Sequence, residues 1–151
     1  MFGIVAYIGE CFGFAVLVTL IYMLAKPLKN RDEVKSWKVL INTFVVALIV
    51  PFAAVEVATR TVGKSMKETV EEAVASSDFE GDLNYYKVTS YNGKSARVVA
   101  VGTVEEPFVG DEKVVMAMTL TRDGDSWTAD SYRFVSSNRH NTDGWSFPPY
   151  W

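Results

Sequence analysis

Residues 2–25 read FGIVAYIGECFGFAVLVTLIYMLA, 24 positions with one charged side chain, Glu10. At a rise of roughly 1.5 Å per residue, about 20 apolar residues cross the roughly 30 Å hydrocarbon core of a bilayer. The run is therefore long enough to span. A cleaved signal peptide needs a basic start and a shorter apolar stretch, and here no Lys or Arg precedes the core. A second apolar run follows, VLINTFVVALIVPFAAVEVA at 39–58, and predicts a second span over 39–59. Pro51 inside it removes one backbone hydrogen bond, which membrane helices tolerate. Tyr22 and Trp37 stand near the ends that face the connection, where amphipathic rings favour the membrane interface.

The connection, 26–38, reads KPLKNRDEVKSWK and holds five basic residues, against Arg60, Lys64 and Lys67 just beyond the second run. Basic residues concentrate on the cytoplasmic side, so the loop is expected inside and both termini outside. A bacterial inner membrane fits this reading, with an organellar inner membrane as the alternative. The charge of the rest is mildly acidic: residues 60–151 carry ten basic and fourteen acidic side chains. No basic stripe is present, so nucleic acid is not an expected partner. Cys11 is the sole cysteine, which leaves no intrachain disulfide and no cysteine-based metal site.

Residues 61–77, TVGKSMKETVEEAVASS, place apolar or small side chains at helical spacing, with Thr61 or Ser65 as a cap and Gly63 as a hinge. Four strands are then expected in a meander, at 85–91, 96–104, 113–122 and 127–135. Asn92-Gly93 and Asp123-Gly124-Asp125 supply hairpin turns, and Pro107 and Gly110 break the middle connection. The expected fold is thus a membrane α-helical hairpin plus a small α+β domain, one helix on a four-stranded antiparallel meander. Its divisions are a two-helix anchor at 1–60, an extracytoplasmic domain at 61–136 and an aromatic, Pro-containing tail at 137–151.

A helix followed by a short antiparallel sheet behind a membrane helix resembles the accessory domains of cytochrome oxidase assembly factors and inner-membrane translocases. The last hairpin, Met118-Thr119-Leu120 through Asp123-Gly124 to Trp127, is also similar to that of cystatin-like and nuclear-transport-factor-like lipoprotein domains. The resemblance covers roughly residues 61–136. Those families carry a single anchor where this chain has two apolar runs, and no binding residue carries over.

Three features bear on function. Glu10 and Glu56 are acidic groups inside apolar runs, where an ionisable side chain costs roughly 2.5 kcal/mol or more and faces protein or water. Gly9 and Gly13 form a GxxxG step beside Glu10, spaced for close helix packing within the chain or with another subunit. In the tail, Trp145, Phe147, Tyr150 and Trp151 surround Pro148-Pro149. Four aromatics in seven residues predict docking on a partner or on the chain's own domain.

Groups for catalysis are sparse. His140 is the only histidine and lies in the tail, and no nucleophile set or phosphate loop is assignable. Asp123, Asp125 and Asp130 are read as turn and strand residues, so no metal site is expected, and no cofactor is named. The expected function is a non-catalytic accessory or assembly subunit whose partners are the bilayer and other integral membrane subunits. The alternatives are a tethered small-ligand binder using the concave sheet face, and an ion or proton relay through Glu10 and Glu56.

Overall fold

The computed structural model describes residues 2–26, 36–79, 81–106 and 110–136. The chain divides into two compact units, Met1–Ala53 and Ala54–Trp151. Three α-helices, two of them long and apolar, and a four-stranded antiparallel sheet account for the described residues.

In the first unit, helix α1 (Phe2–Ala25) meets the opening turns of helix α2 (Ser36–Thr61). Both are long and apolar enough to cross a membrane. Their seam is a stripe on α1 of Tyr7, Cys11, Ala15 and Thr19, four apart and all buried. Spacing of four keeps side chains on one slowly drifting face of a helix. Aromatic edges lock the seam: Tyr7 meets Phe52 at 5.5 Å and Phe12 meets Phe44 at 6.0 Å, both near perpendicular.

Pro51 leaves the helix unbroken, and its cost falls on a carbonyl. Without an N–H at Pro51, the Ala47 carbonyl four residues earlier has no intrahelical donor. The Cys11 thiol donates to it at 3.4 Å and the Tyr7 hydroxyl at 3.3 Å, the latter also reaching the Leu48 carbonyl at 2.8 Å. Two side chains of α1 thus answer the vacancy that Pro51 opens in α2.

In the second unit, α2 continues without interruption to Thr61, and a 3-10 turn (Gly63–Met66) leads to helix α3 (Lys67–Ser76). The expected single helix over 61–77 is therefore split. Neither expected cap operates: Thr61 and Ser65 donate back to carbonyls of their own turns, and the residue before α3 is Met66, with no capping side chain. Gly63 is not a free hinge either. It is buried, and an added Cβ would touch Thr59, Tyr86 and Val88 at 3.4–3.5 Å.

Strands β1 (Asp82–Tyr91), β2 (Ser95–Glu106), β3 (Gly110–Asp123) and β4 (Ser126–Ser136) pair in sequence order. Each is longer than expected, because backbone pairing runs past the apolar residues that reveal a strand in sequence. The β2–β3 pairing continues in register to Glu106 opposite Gly110. At the first hairpin the Asn92 carboxamide oxygen accepts from the Lys94 and Ser95 amides, at 3.1 and 2.7 Å, while Gly93 takes φ +88°. That is Asx-turn chemistry, and it explains the Asn-Gly signal.

Helix α3 covers one sheet face. Met66, Val70, Ala73 and Val74 pack with Val88, Val98, Ala100, Met116, Met118, Leu120, Trp127 and Phe134. The Thr69 hydroxyl ties the helix to the Trp127 carbonyl at 3.1 Å. Phe79 stacks on Phe134 with centroids 6.5 Å apart and lies against Gly102, where a Cβ would come within 2.5 Å of its ring. Only glycine fits there.

Candidate functional site

Three places combine polar groups with geometry that a fold alone does not require. The first is the outward face of α1. At roughly 100° per residue, Gly13 lies opposite the middle of the Tyr7–Thr19 stripe, with Gly9 and Glu10 on either side of it. Gly9, Glu10 and Gly13 are exposed, and a methyl built on either glycine would meet nothing within 4 Å. The GxxxG step is thus not what joins the hairpin. Glu10 makes no hydrogen bond or ion pair among the described residues.

The second place is the end of α2 against β1. Glu56 accepts from Arg60 one turn later, at 2.9 Å, and from Lys87 of β1. Thr59 Oγ1 accepts from the Val88 amide at 2.9 Å, and the Tyr86 hydroxyl donates to the Gly63 carbonyl at 3.0 Å. Of these, the Thr59 contact pairs one backbone N–H on the free edge of β1, which would otherwise offer unpaired backbone groups. Burial, and secondarily the charge of Glu71, pushes the Tyr86 phenol above its usual 10.0. Arg60 is one helical turn from Glu56 in the sequence, whereas Lys87 is 31 residues away and becomes its neighbour only in the fold. With two cations on it, Glu56 has the surroundings of a structural ion pair. Glu10 belongs to the other unit.

The third place is the sheet face away from α3. Side chains alternate along strands, so Thr89, Arg97, Ala117, Thr119, Ser131 and Arg133 share it and line a cavity of 710 Å³. The cross-strand register sets Arg97 opposite Thr119 and Arg133 opposite Ala117. Small central-strand residues form the floor between two arginines that have no carboxylate partner among the described residues. Next to it, Val99, Val101, Val115 and Val135 form a second buried cluster. Sequence alternation in 96–104 hinted at this: Val98-Val99-Ala100-Val101 is apolar on both faces, the pattern of a strand covered twice.

The tail residues Trp145, Phe147, Pro148, Pro149, Tyr150 and Trp151 lie outside the described residues, as do His140 and most of the 26–38 loop. The described residues hold no group of three or more His, Cys, Asp or Glu able to ligate a metal. Asp130 accepts from Thr121, and Asp125 meets Arg122 at 3.4 Å. These arrangements define a class by architecture alone: two long apolar helices joined to a helix-covered antiparallel meander. No family model, curated protein or solved structure matches the chain.

Proposed function

We propose that the chain is a membrane-anchored, non-catalytic accessory subunit that packs against other integral membrane subunits through the Gly9–Glu10–Gly13 face of α1. The observation that carries it is Glu10, exposed and without a partner among the described residues on the side of α1 turned away from α2. A carboxyl group within a bilayer costs about 2.5–3.5 kcal/mol unless protein or water receives it. Flanking glycines allow the backbone of a partner helix to approach closely enough to do so.

The membrane reading is supported by where the apolar side chains point. Val5, Leu24, Trp37 and Ile49 are mostly exposed, which a soluble protein's core helices do not do. Lys26 and Lys38 lie over the rings of Tyr22 and Trp37, at 5.2 and 5.8 Å, pairing that suits a headgroup interface. With five basic residues in 26–38, the sheet unit is on the non-cytoplasmic side of a bacterial inner membrane.

The test is purification in mild detergent from the native membrane. Stoichiometric membrane subunits should accompany the wild-type chain and be lost from Gly13→Ile, which still inserts. A wild-type chain that purifies alone would overturn the reading. Impermeant thiol labelling of Lys94→Cys but not Lys29→Cys on intact cells checks the topology, and the reverse pattern would invert it. A second reading, a tethered binder of small anionic ligands, is favoured by the cavity between Arg97 and Arg133. A ligand recovered from a partner-free chain would support it instead.

A further inference from the structure

We infer that the cavity between Arg97 and Arg133 binds the phosphoryl group of a small organic phosphate, held by the two guanidinium groups above the Thr119 and Ser131 hydroxyls. The inference rests on the anionic-ligand reading of that cavity and is independent of the membrane-subunit reading. Strand register places the four groups. Arg97 of β2 is opposite Thr119 of β3, which is in turn opposite Ser131 of β4. Arg133 of β4 is opposite Ala117, two positions along β3 from Thr119. The two arginine Cα atoms are thus two strands apart, roughly 10 Å, and offset along them by two residues, roughly 7 Å. From those positions both side chains line one cavity, and they can reach a common point over Ala117 and Thr119.

The polar groups at that point are unused. Among the described residues neither guanidinium has a carboxylate partner, and neither the Thr119 nor the Ser131 hydroxyl makes a hydrogen bond. Other polar groups of the face are committed: Lys87 to Glu56, Asp130 to the Thr121 hydroxyl, and the Thr89 hydroxyl to the Arg97 carbonyl. Among the described residues no Asp or Glu lines the cavity. The site therefore offers two positive charges and donors from two sides and from the floor. A carboxylate brings one charge and two oxygens. A phosphomonoester brings a charge of about −1.5 to −2 and three strong acceptor oxygens. The second matches two guanidinium forks and a pair of hydroxyls. The volume, 710 Å³, lies within the roughly 300–1,000 Å³ of pockets that hold small organic molecules. Ala117 and Val135 in the lining give the organic part an apolar wall, so the group arrives on a carbon skeleton rather than as the bare ion.

The test titrates the purified full chain, in maltoside micelles, with phenyl phosphate, phenylacetate and inorganic phosphate by calorimetry. Phenyl phosphate should bind saturably and at least tenfold tighter than either of the others. Arg97→Gln and Arg133→Gln should each weaken it at least tenfold with strand circular dichroism retained, and Lys94→Gln in the first hairpin turn should not. Phenylacetate binding as tightly as phenyl phosphate would keep the anionic-ligand reading and overturn the phosphoryl assignment. Binding of none of the three would overturn both. Equal losses from Lys94→Gln and Arg97→Gln would reduce the effect to general surface charge and overturn the site. Phosphatidic acid added to the micelles separates the two sources of the group. Displacement of phenyl phosphate assigns the site to a lipid headgroup and no displacement to a soluble phosphomonoester, and either result supports phosphoryl recognition.

Discussion

The two units place the same kinds of side chain in opposite environments. In the sheet unit the largest apolar residues are the least accessible, with Met66, Met116 and Leu120 all at 0%. In the helical unit they are among the most accessible, with Leu24 at 72% and Val5 at 69%. Burial from water stabilises the sheet unit by roughly 25 cal/mol per Å² of apolar surface. In a bilayer, where we propose that the hairpin sits, that force is absent between helices, because lipid tails are as apolar as leucine. The hairpin accordingly relies on close packing at Ala15 and on donors from Tyr7 and Cys11, and the sheet unit on a filled interior.

The largest effect is expected where that contrast is sharpest. Met116→Ala should destabilise the sheet unit by about 2–5 kcal/mol, read from denaturant unfolding followed by Trp127 fluorescence. Leu24→Ala, a truncation of similar size, should leave hairpin stability in micelles nearly unchanged. Equal losses at the two positions would remove the distinction between the units.

Next in size is the coupling across the hairpin seam. Tyr7→Phe should weaken helix association by about 0.6–1.7 kcal/mol, the range for hydrogen bonds between membrane helices. Pro51→Ala restores an intrahelical donor for Ala47, so the same Tyr7→Phe change should then cost less. A double-mutant cycle on hairpin unfolding by interhelix energy transfer measures this. Additive effects would mean that Pro51 and Tyr7 act separately.

The closure of β1 gives a smaller effect. Glu56→Gln should leave the sheet folded while raising amide exchange at Val88, because Lys87 and Arg60 lose their common anion. An unaltered exchange rate would make Thr59 alone sufficient to hold that edge.

Smallest at neutral pH, and distinct in its pH window, is Tyr86. Its phenol titrates above 10.0 in the folded chain, so the neutral form is favoured by folding. That contribution is complete below the unfolded value of 10.0 and is lost as pH rises through the higher folded value. Tyr86→Phe should therefore flatten the alkaline decline in stability above about pH 10. A decline identical in both proteins would assign it to other groups.

What could be read in the sequence were the features that act locally. Two apolar runs long enough to span, an Asn-Gly and an Asp-Gly turn, and alternating strands fixed the element types and the meander order, because hydropathy period and turn chemistry are properties of adjacent residues. Gly63 marked the break after α2, but its character was hidden, since α2 passes straight through the polar-apolar boundary to Thr61 and the turn after it packs against Tyr86 and Val88. The partners of Pro51 and Glu56 were hidden for the same reason: Cys11 and Lys87 are remote in the chain and become neighbours through helix pairing and strand placement. Sequence alone determined which segments are helix, strand and turn; tertiary structure decided which face of α1 joins α2, which cation holds Glu56 and where the second apolar sheet face lies. Local steric and hydropathic preferences specify the elements, whereas contacts between distant residues exist only once those elements have docked.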